Sequence, residues 1–201
     1  MLSNNSIERL CLVYAALQTL QKTNVEYISS KDLARLAGTT DSCVRKDIST
    51  LNITGYNRKG YNVGSLKKQI GASLRLSRSY KTCIVGLGRL GTALLDHKAL
   101  KDDGFEIVAG FDNSINKIER LHTSVEVFAV NELEKIVKQR GIEIGIITAP
   151  KEAAQEIADK LVKGGVRGIL NFAPVQLSVP DSIVLNNMDV TVALRFIAAQ
   201  I

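Results

Sequence analysis

Three glycines in the stretch VGLGRLGTALL, Gly86, Gly88 and Gly91, stand directly behind the apolar run Cys83-Ile84-Val85. Gly-x-Gly-x-x-Gly between a strand and a helix is the arrangement that cradles the pyrophosphate of a dinucleotide. Gly86 is expected to permit the tight turn, Gly88 to let backbone approach the pyrophosphate, and Gly91 to let the helix pack closely on its strand. Leu87, Arg89 and Leu90 complete the turn, whose helix N-terminus would face the phosphates. A second strand, FEIVAGFD, ends at Asp112, 21 residues after Gly91, and is followed by Asn113. A carboxylate there accepts hydrogen bonds from ribose hydroxyls and repels a 2′-phosphate, which favours NAD over NADP. The competing reading is a glycine turn that only packs a helix on a sheet.

These residues need a sheet to hold them. NELEKIVKQRG, IEIGIITAP, KEAAQEIADKLVKGG, VRGILNFAP and SIVLNNMD read as helix, strand, helix, strand and strand, which predicts a doubly wound parallel sheet. Ligands of such sheets lie beyond the C-terminal ends of the strands. That rule singles out Thr148, Ala149 and Pro150, and Asn171 and Phe172, as walls of a nicotinamide pocket, with His97 placed near the ring. The final segment VTVALRFIAAQI is apolar on almost every side, and such a helix is buried all round, by a second subunit or by the core.

The first 80 residues carry a different chemistry. They hold 12 Lys and Arg against 5 Asp and Glu, whereas residues 81–201 hold 14 against 15. A basic half beside a neutral one points to a polyanion partner for the first. Ile7, Leu10, Cys11, Tyr14 and Leu17 recur as one face of a first helix. Ser29, followed by Ser30 and by Asp32 at capping-box spacing, starts a second, with Gly38 at its end. Thr40 caps a third, in which Val44, Ile48 and Leu51 face inward while Ser42, Arg45, Lys46, Ser49 and Thr50 face outward. Two helices across a tight turn, the second presenting cations and hydroxyls, make a helix-turn-helix. Arginine forks onto guanine, lysine neutralises phosphate, and the hydroxyls bond to either. Gly55 and Gly60 then bracket Asn57, Arg58 and Lys59, a basic hairpin tip of the kind called a wing. Val63, Leu66, Ile70 and Leu74 follow in helical register.

Composition excludes other classes. With 45% hydrophobic and 23% charged residues the chain is globular. No apolar run reaches the roughly 18 residues of a membrane span, and the first residues lack a secretion pattern, so a cytoplasmic protein is expected. Cys11, Cys43 and Cys83 are too far apart for a disulfide framework or a metal site.

Taken in order, ISSKDLARLAG, VRKDIS, GYNV, IVGLGRLGTAL, IEIGIITAP, EAAQEIADKLVKGGVRGILNFAPV and NMD resemble the redox-sensing transcriptional repressors of the Rex family across nearly the whole chain. The resemblance implies a homodimeric repressor with palindromic operator DNA as partner and NADH or NAD as cofactor, NADH releasing the DNA. It implies a winged helix-turn-helix domain over 1–78, a Rossmann NAD(H)-binding domain over 79–188, and a C-terminal dimerisation helix over 189–201 exchanged between subunits. It makes the glycines and Asp112 nucleotide contacts, and Arg45, Lys46 and the wing DNA contacts. The chain departs from the family pattern in Thr50-Leu51, in its wing, in His97 where a tyrosine is usual, and in Ala15 where an arginine faces the acid at Asp189. Three rivals remain: an NAD-dependent dehydrogenase, a CoA-binding module suggested by GIITAP and GGVRGILNF, and a thiol switch at Cys43.

Overall fold

The structure, a computed structural model, describes residues 2–56, 59–114, 116, 121 and 123–201. Arg58, Asn57 and His122 lie outside the described residues. The chain divides into two compact units, Met1–Arg78 and Ser79–Ile201.

The first unit contains α1 (Asn4–Gln21), β1 (Tyr27–Ile28), α2 (Ser30–Leu36), α3 (Asp41–Thr50), β2 (Tyr61–Asn62) and α4 (Val63–Ser73). Its helices start where side-chain oxygens satisfy the free first-turn amides. Ser29 Oγ accepts from the Asp32 N–H, Thr40 Oγ1 from the Cys43 N–H, and Asn62 Oδ1 from the Ser65 N–H. Gly38, at φ 62°, ends α2 in the left-handed conformation that a side chain disfavours. Leu10, Val13 and Leu17 of α1 close on Leu33, Val44, Ile48, Leu66 and Ile70 to form the core. The buried face of α1 is therefore rotated from the expected one: Val13 is inside, whereas Ile7 and Cys11 are exposed. Leu33, Ala34 and Ala37 are buried beneath α2, whereas Leu36 is exposed. The wing differs from a simple hairpin. Tyr61 and Asn62 pair antiparallel with Ile28 and Tyr27, and one bridge from Tyr56 to Gly60 closes the tip.

The second unit is a six-stranded parallel sheet in the order β5-β4-β3-β6-β7-β8, comprising β3 (Tyr80–Val85), β4 (Phe105–Asp112), β5 (Val127–Ala129), β6 (Ile144–Ile147), β7 (Gly168–Asn171) and β8 (Val184–Asn187). The order reverses between β3 and β6, as in a dinucleotide-binding sheet. β5, three residues long, is too short to show a period and was absent from the expected elements. α7 (Leu133–Arg140) and α8 (Lys151–Gly164) bury one face together with Cys83, Val85, Phe111 and Ile147. On the other face Ile84 and Ile146 meet Leu95 of α5 (Arg89–Leu95), with the short α6 (Lys98–Asp102) following. Alternation of strand side chains explains the division.

The last helix, α9 (Val190–Ala198), has no buried residue. The segment whose composition calls for burial on all sides exposes Val190, Val192, Leu194, Phe196 and Ile197, and 102% of Ile201.

Candidate functional site

The glycine turn is built from three different constraints. Gly86 lies at φ +98°, where an L side chain is strained, and a Cβ there would come within 2.6 Å of the Ala149 nitrogen. At Gly91 a Cβ would run into the Gly86 carbonyl oxygen and stand 2.7 Å from Thr148 Oγ1. Among the described residues Gly88 has nothing within 4 Å of such a Cβ, so there this position borders open space. Two glycines close the turn and the middle one leaves it approachable, a shape that fits the backbone approach of a pyrophosphate. The turn is tied from β6: Thr148 Oγ1 donates to the Gly86 carbonyl at 2.6 Å and its N–H donates to Val85 O.

Asp112 is buried at the end of β4, and its Oδ2 accepts the Leu87 N–H at 2.8 Å while Oδ1 accepts the Ser114 N–H at 2.8 Å. The acid expected to meet a ribose therefore first holds the glycine turn and its own strand end. Leu87 is buried by this arrangement, whereas Gly88, Arg89, Leu90 and Asn113 are exposed. Gly88 is the N-cap of α5 and offers no side-chain cap.

The expected nicotinamide walls separate into two groups. Thr148, Ala149 and Pro150 follow β6 beside the glycine turn, with Pro150 exposed as the N-cap of α8. Phe172 is half-buried against Ile84, Leu87 and Ile146, on the α5 face. Asn171 is not a wall: it is fully buried, with Nδ2 donating to Ala173 O, Val175 O and Asn187 Oδ1 and Oδ1 accepting the Ala173 N–H. These bonds hold the chain after β7. His97 is a second correction. It caps α6 and lines a cleft with Leu95, Lys101, Phe105, Glu106 and Val125. Phe105 begins the strand that Asp112 ends, so within this protomer the cleft lined by His97 lies toward the start of β4, away from the end that carries Asp112.

On the first unit, α3 holds Ser42, Arg45, Lys46, Ser49 and Thr50 exposed on its outer face while Val44, Asp47 and Ile48 are buried. Thr50 Oγ1 donates to the Lys46 carbonyl within the helix at 2.8 Å. Thr40 Oγ1 is occupied by its cap and by Ser42 Oγ at 3.1 Å. Ser29 Oγ donates to Asp32 Oδ2 at 2.7 Å while accepting the Asp32 N–H, so this hydroxyl is spent on the start of α2; Ser30 is half-buried beside it. Lys59 lies over the Tyr27 ring at 5.3 Å, and Tyr27 meets Tyr56 edge-on. The stack anchors the base of the wing by a cation–π contact.

Two acids on α3 went unrecognised in the sequence. Asp41 pairs with Arg45 at 2.6 Å, a contact that the i,i+4 spacing announces. Asp47 is buried and bonded by Arg9, 38 residues away, which no local pattern could signal. Asp189 caps α9, its Oδ1 accepting the Thr191 and Val192 N–H groups. Among the described residues no group of three or more His, Cys, Asp or Glu is placed to hold a metal ion, and no helix is long and apolar enough to cross a membrane.

Comparison with known proteins follows the same two-part division. Residues 1–49 match a family model described as "Putative DNA-binding protein N-terminus", and residues 77–175 match one described as "CoA binding domain". The redox-sensing transcriptional repressor Rex of Carboxydothermus hydrogenoformans is 38% identical over 196 residues, covering 98% of this chain and 94% of that protein. Rex 1 of Thermotoga maritima is 40% identical over 195 residues, covering 96% and 93%. Among solved structures, RSP in complex with beta-NAD+ and operator DNA is similar with a TM-score of 0.91 and 33% identity, covering 100% of this chain and 92% of that one. RSP in complex with beta-NADH is similar with a TM-score of 0.88 and 32% identity, covering 100% and 94%.

Proposed function

The chain belongs to the Rex family of redox-sensing transcriptional repressors, and we propose from that membership that it is a DNA-binding repressor that senses the NADH/NAD ratio. The observation that carries the proposal is the full-length likeness to RSP, whose complexes contain beta-NAD+ with operator DNA in one case and beta-NADH in the other. Both ligands are carried to this chain, and the relatives' role as repressors rather than enzymes with them.

The glycine turn, with Asp112 behind it, would hold the ribose and pyrophosphate, and Thr148, Pro150 and Phe172 would border the nicotinamide. Arg45, Lys46, Ser42 and Ser49 of α3 would enter the major groove, and Lys59 with Arg58 would reach the backbone from the wing. Residues 189–201 would pass to a second copy, whose sheet would bury the apolar sides of α9. The place of action is the cytoplasm, where DNA and the NADH pool meet.

A dimer engages two half-sites only when its recognition helices stand about 34–36 Å apart. The nicotinamide supplies the difference between states: planar and charged when oxidised, neutral and puckered when reduced. NADH shifts the balance only by binding the DNA-free arrangement more tightly than the DNA-bound one. Selection of duplexes from a random pool by the purified protein tests the DNA half of the proposal. Enrichment of a palindrome with half-sites one helical turn apart is the expected result, and a pool that stays random after repeated rounds contradicts it.

A further inference from the structure

Asp41, in the first turn of α3, places Oδ2 2.6 Å from Nη2 of Arg45, and its other oxygen, Oδ1, is buried with no hydrogen-bond donor among the described residues. An ordinary surface pair swings in water with both carboxylate oxygens solvated, and it fixes neither side chain. Here one oxygen is sealed against the protein, so the carboxylate has a defined position. The guanidinium remains largely in solvent, its side chain 61% exposed. At the base of the wing, burial raises the pKa of Tyr61, with Arg45 lowering it and Asp41 raising it, so this phenol stays protonated.

Helical side chains lean toward the N-terminus of their helix. Asp41 therefore draws Arg45 along α3 toward its first turn, the end of a recognition helix that contacts base edges. Arginine has five N–H donors in a rigid fork, and the contact to Asp41 uses one of them. Enough remain for two parallel bonds to guanine O6 and N7.

We infer that Asp41 is a positioning residue for base reading: it holds the Arg45 fork in one orientation, so that the Asp41–Arg45 pair, and not Arg45 alone, sets the preference for guanine at one half-site position. This rests on the reading of α3 as a recognition helix. A carboxylate at this place also repels DNA phosphates, so it lowers affinity for duplexes of any sequence while raising discrimination between them. A role confined to folding or helix stability would move both quantities in the same direction.

The test measures binding of the wild-type protein, Asp41→Asn, Asp41→Glu and Arg45→Ala to the selected operator, to operators substituted at each half-site position, and to a scrambled duplex. Asp41→Asn is expected to bind the scrambled duplex more tightly than wild type. It is also expected to lose about tenfold in discrimination at the one position where Arg45→Ala loses it. Asp41→Glu, which keeps the charge, retains more of that discrimination than Asp41→Asn. An unchanged base profile for Asp41→Asn, or a uniform weakening on all duplexes, overturns the inference while leaving the recognition helix in place. A wild-type protein that does not distinguish operator from scrambled duplex overturns both.

Discussion

Asp47 of α3 is 3% exposed, and Arg9 of α1 closes on both of its oxygens, with Nε 2.7 Å from Oδ2 and Nη2 3.0 Å from Oδ1. Two parallel charge-assisted bonds fix direction as well as distance. They pin the inner face of α3 to α1, and the same geometry fixes how its outer face is presented. The bond to Asp47 also raises the pKa of Arg9, which stays charged throughout the accessible range. Arg9→Ala leaves a buried carboxylate without its partner, which is the costly way to break such a pair. The expected outcome is a lower thermal midpoint and operator affinity weakened by about tenfold or more, with nucleotide affinity unchanged. Arg9→Lys, a point charge that cannot fork, recovers only part. Thermal melts and anisotropy on the same preparations check this.

The glycines of the turn are expected to fail differently. Gly91→Ala forces a methyl group against backbone and Thr148, an overpacking that costs about 1–3 kcal/mol and distorts the turn. Gly88→Ala meets nothing within 4 Å among the described residues, so the fold and its melting midpoint are expected to be retained. Its methyl group enters the space proposed for the pyrophosphate, and NADH affinity falls by about tenfold, some 1.4 kcal/mol. Calorimetric titration with NADH separates the two variants, and titration with CoA, for which no binding is expected, removes the rival suggested by residues 77–175.

Asp112→Ala removes the acceptor of the buried Leu87 N–H. An orphaned buried donor costs about 1–3 kcal/mol, so this variant is expected to lose stability and NADH binding together. Asp112→Asn retains one acceptor oxygen and is expected to melt between the wild type and Asp112→Ala. Equal melting of Asp112→Ala and wild type contradicts the structural half of the assignment.

Burial pushes the Cys83 thiol from 9.0 up to about 12. Between those values the unfolded chain binds fewer protons than the folded one. The stability linked to this thiol is therefore complete below pH 9 and falls, as pH rises toward 12, by up to ~1.4 kcal/mol per unit. Cys83→Ala removes that part of the alkaline slope, measurable by denaturant unfolding at successive pH values. The same burial leaves Cys83 inert to alkylation at neutral pH in the folded protein.

The side chains of α9 are expected to hold two copies together. Leu194 and Phe196 are 60% and 70% exposed in the single chain. Replacing both with Asp is expected to shift the sedimenting species from dimer to monomer and to weaken operator binding by about 100-fold, since a monomer reaches one half-site. A variant that stays dimeric removes α9 from the interface.

Much of this arrangement was legible because it is local. The caps at Ser29 and Thr40, the left-handed Gly38 and the strand–glycine–helix order around Gly86 follow from residues within a few positions of one another, and the structure contains each. What escaped depends on distance in sequence. Val13 lies inside, and Cys11 outside, because the helices that cover α1 select its face; periodicity alone allowed either. Asp47 is buried only because Arg9 reaches it. Asn171 looked like a pocket wall by its place at a strand end, but its buried amide binds the loop after β7 and Asn187 of β8. His97 was placed from a pattern, whereas the structure sets it in a cleft with Phe105 and Glu106, at the start of β4.

The central claim is that one chain couples nucleotide state to DNA release, and fluorescence anisotropy on a labelled palindromic operator tests it most directly. Titration with NADH is expected to release the protein, while the same concentrations of NAD leave it bound. Operator binding indifferent to both nucleotides, or release by both alike, contradicts the account.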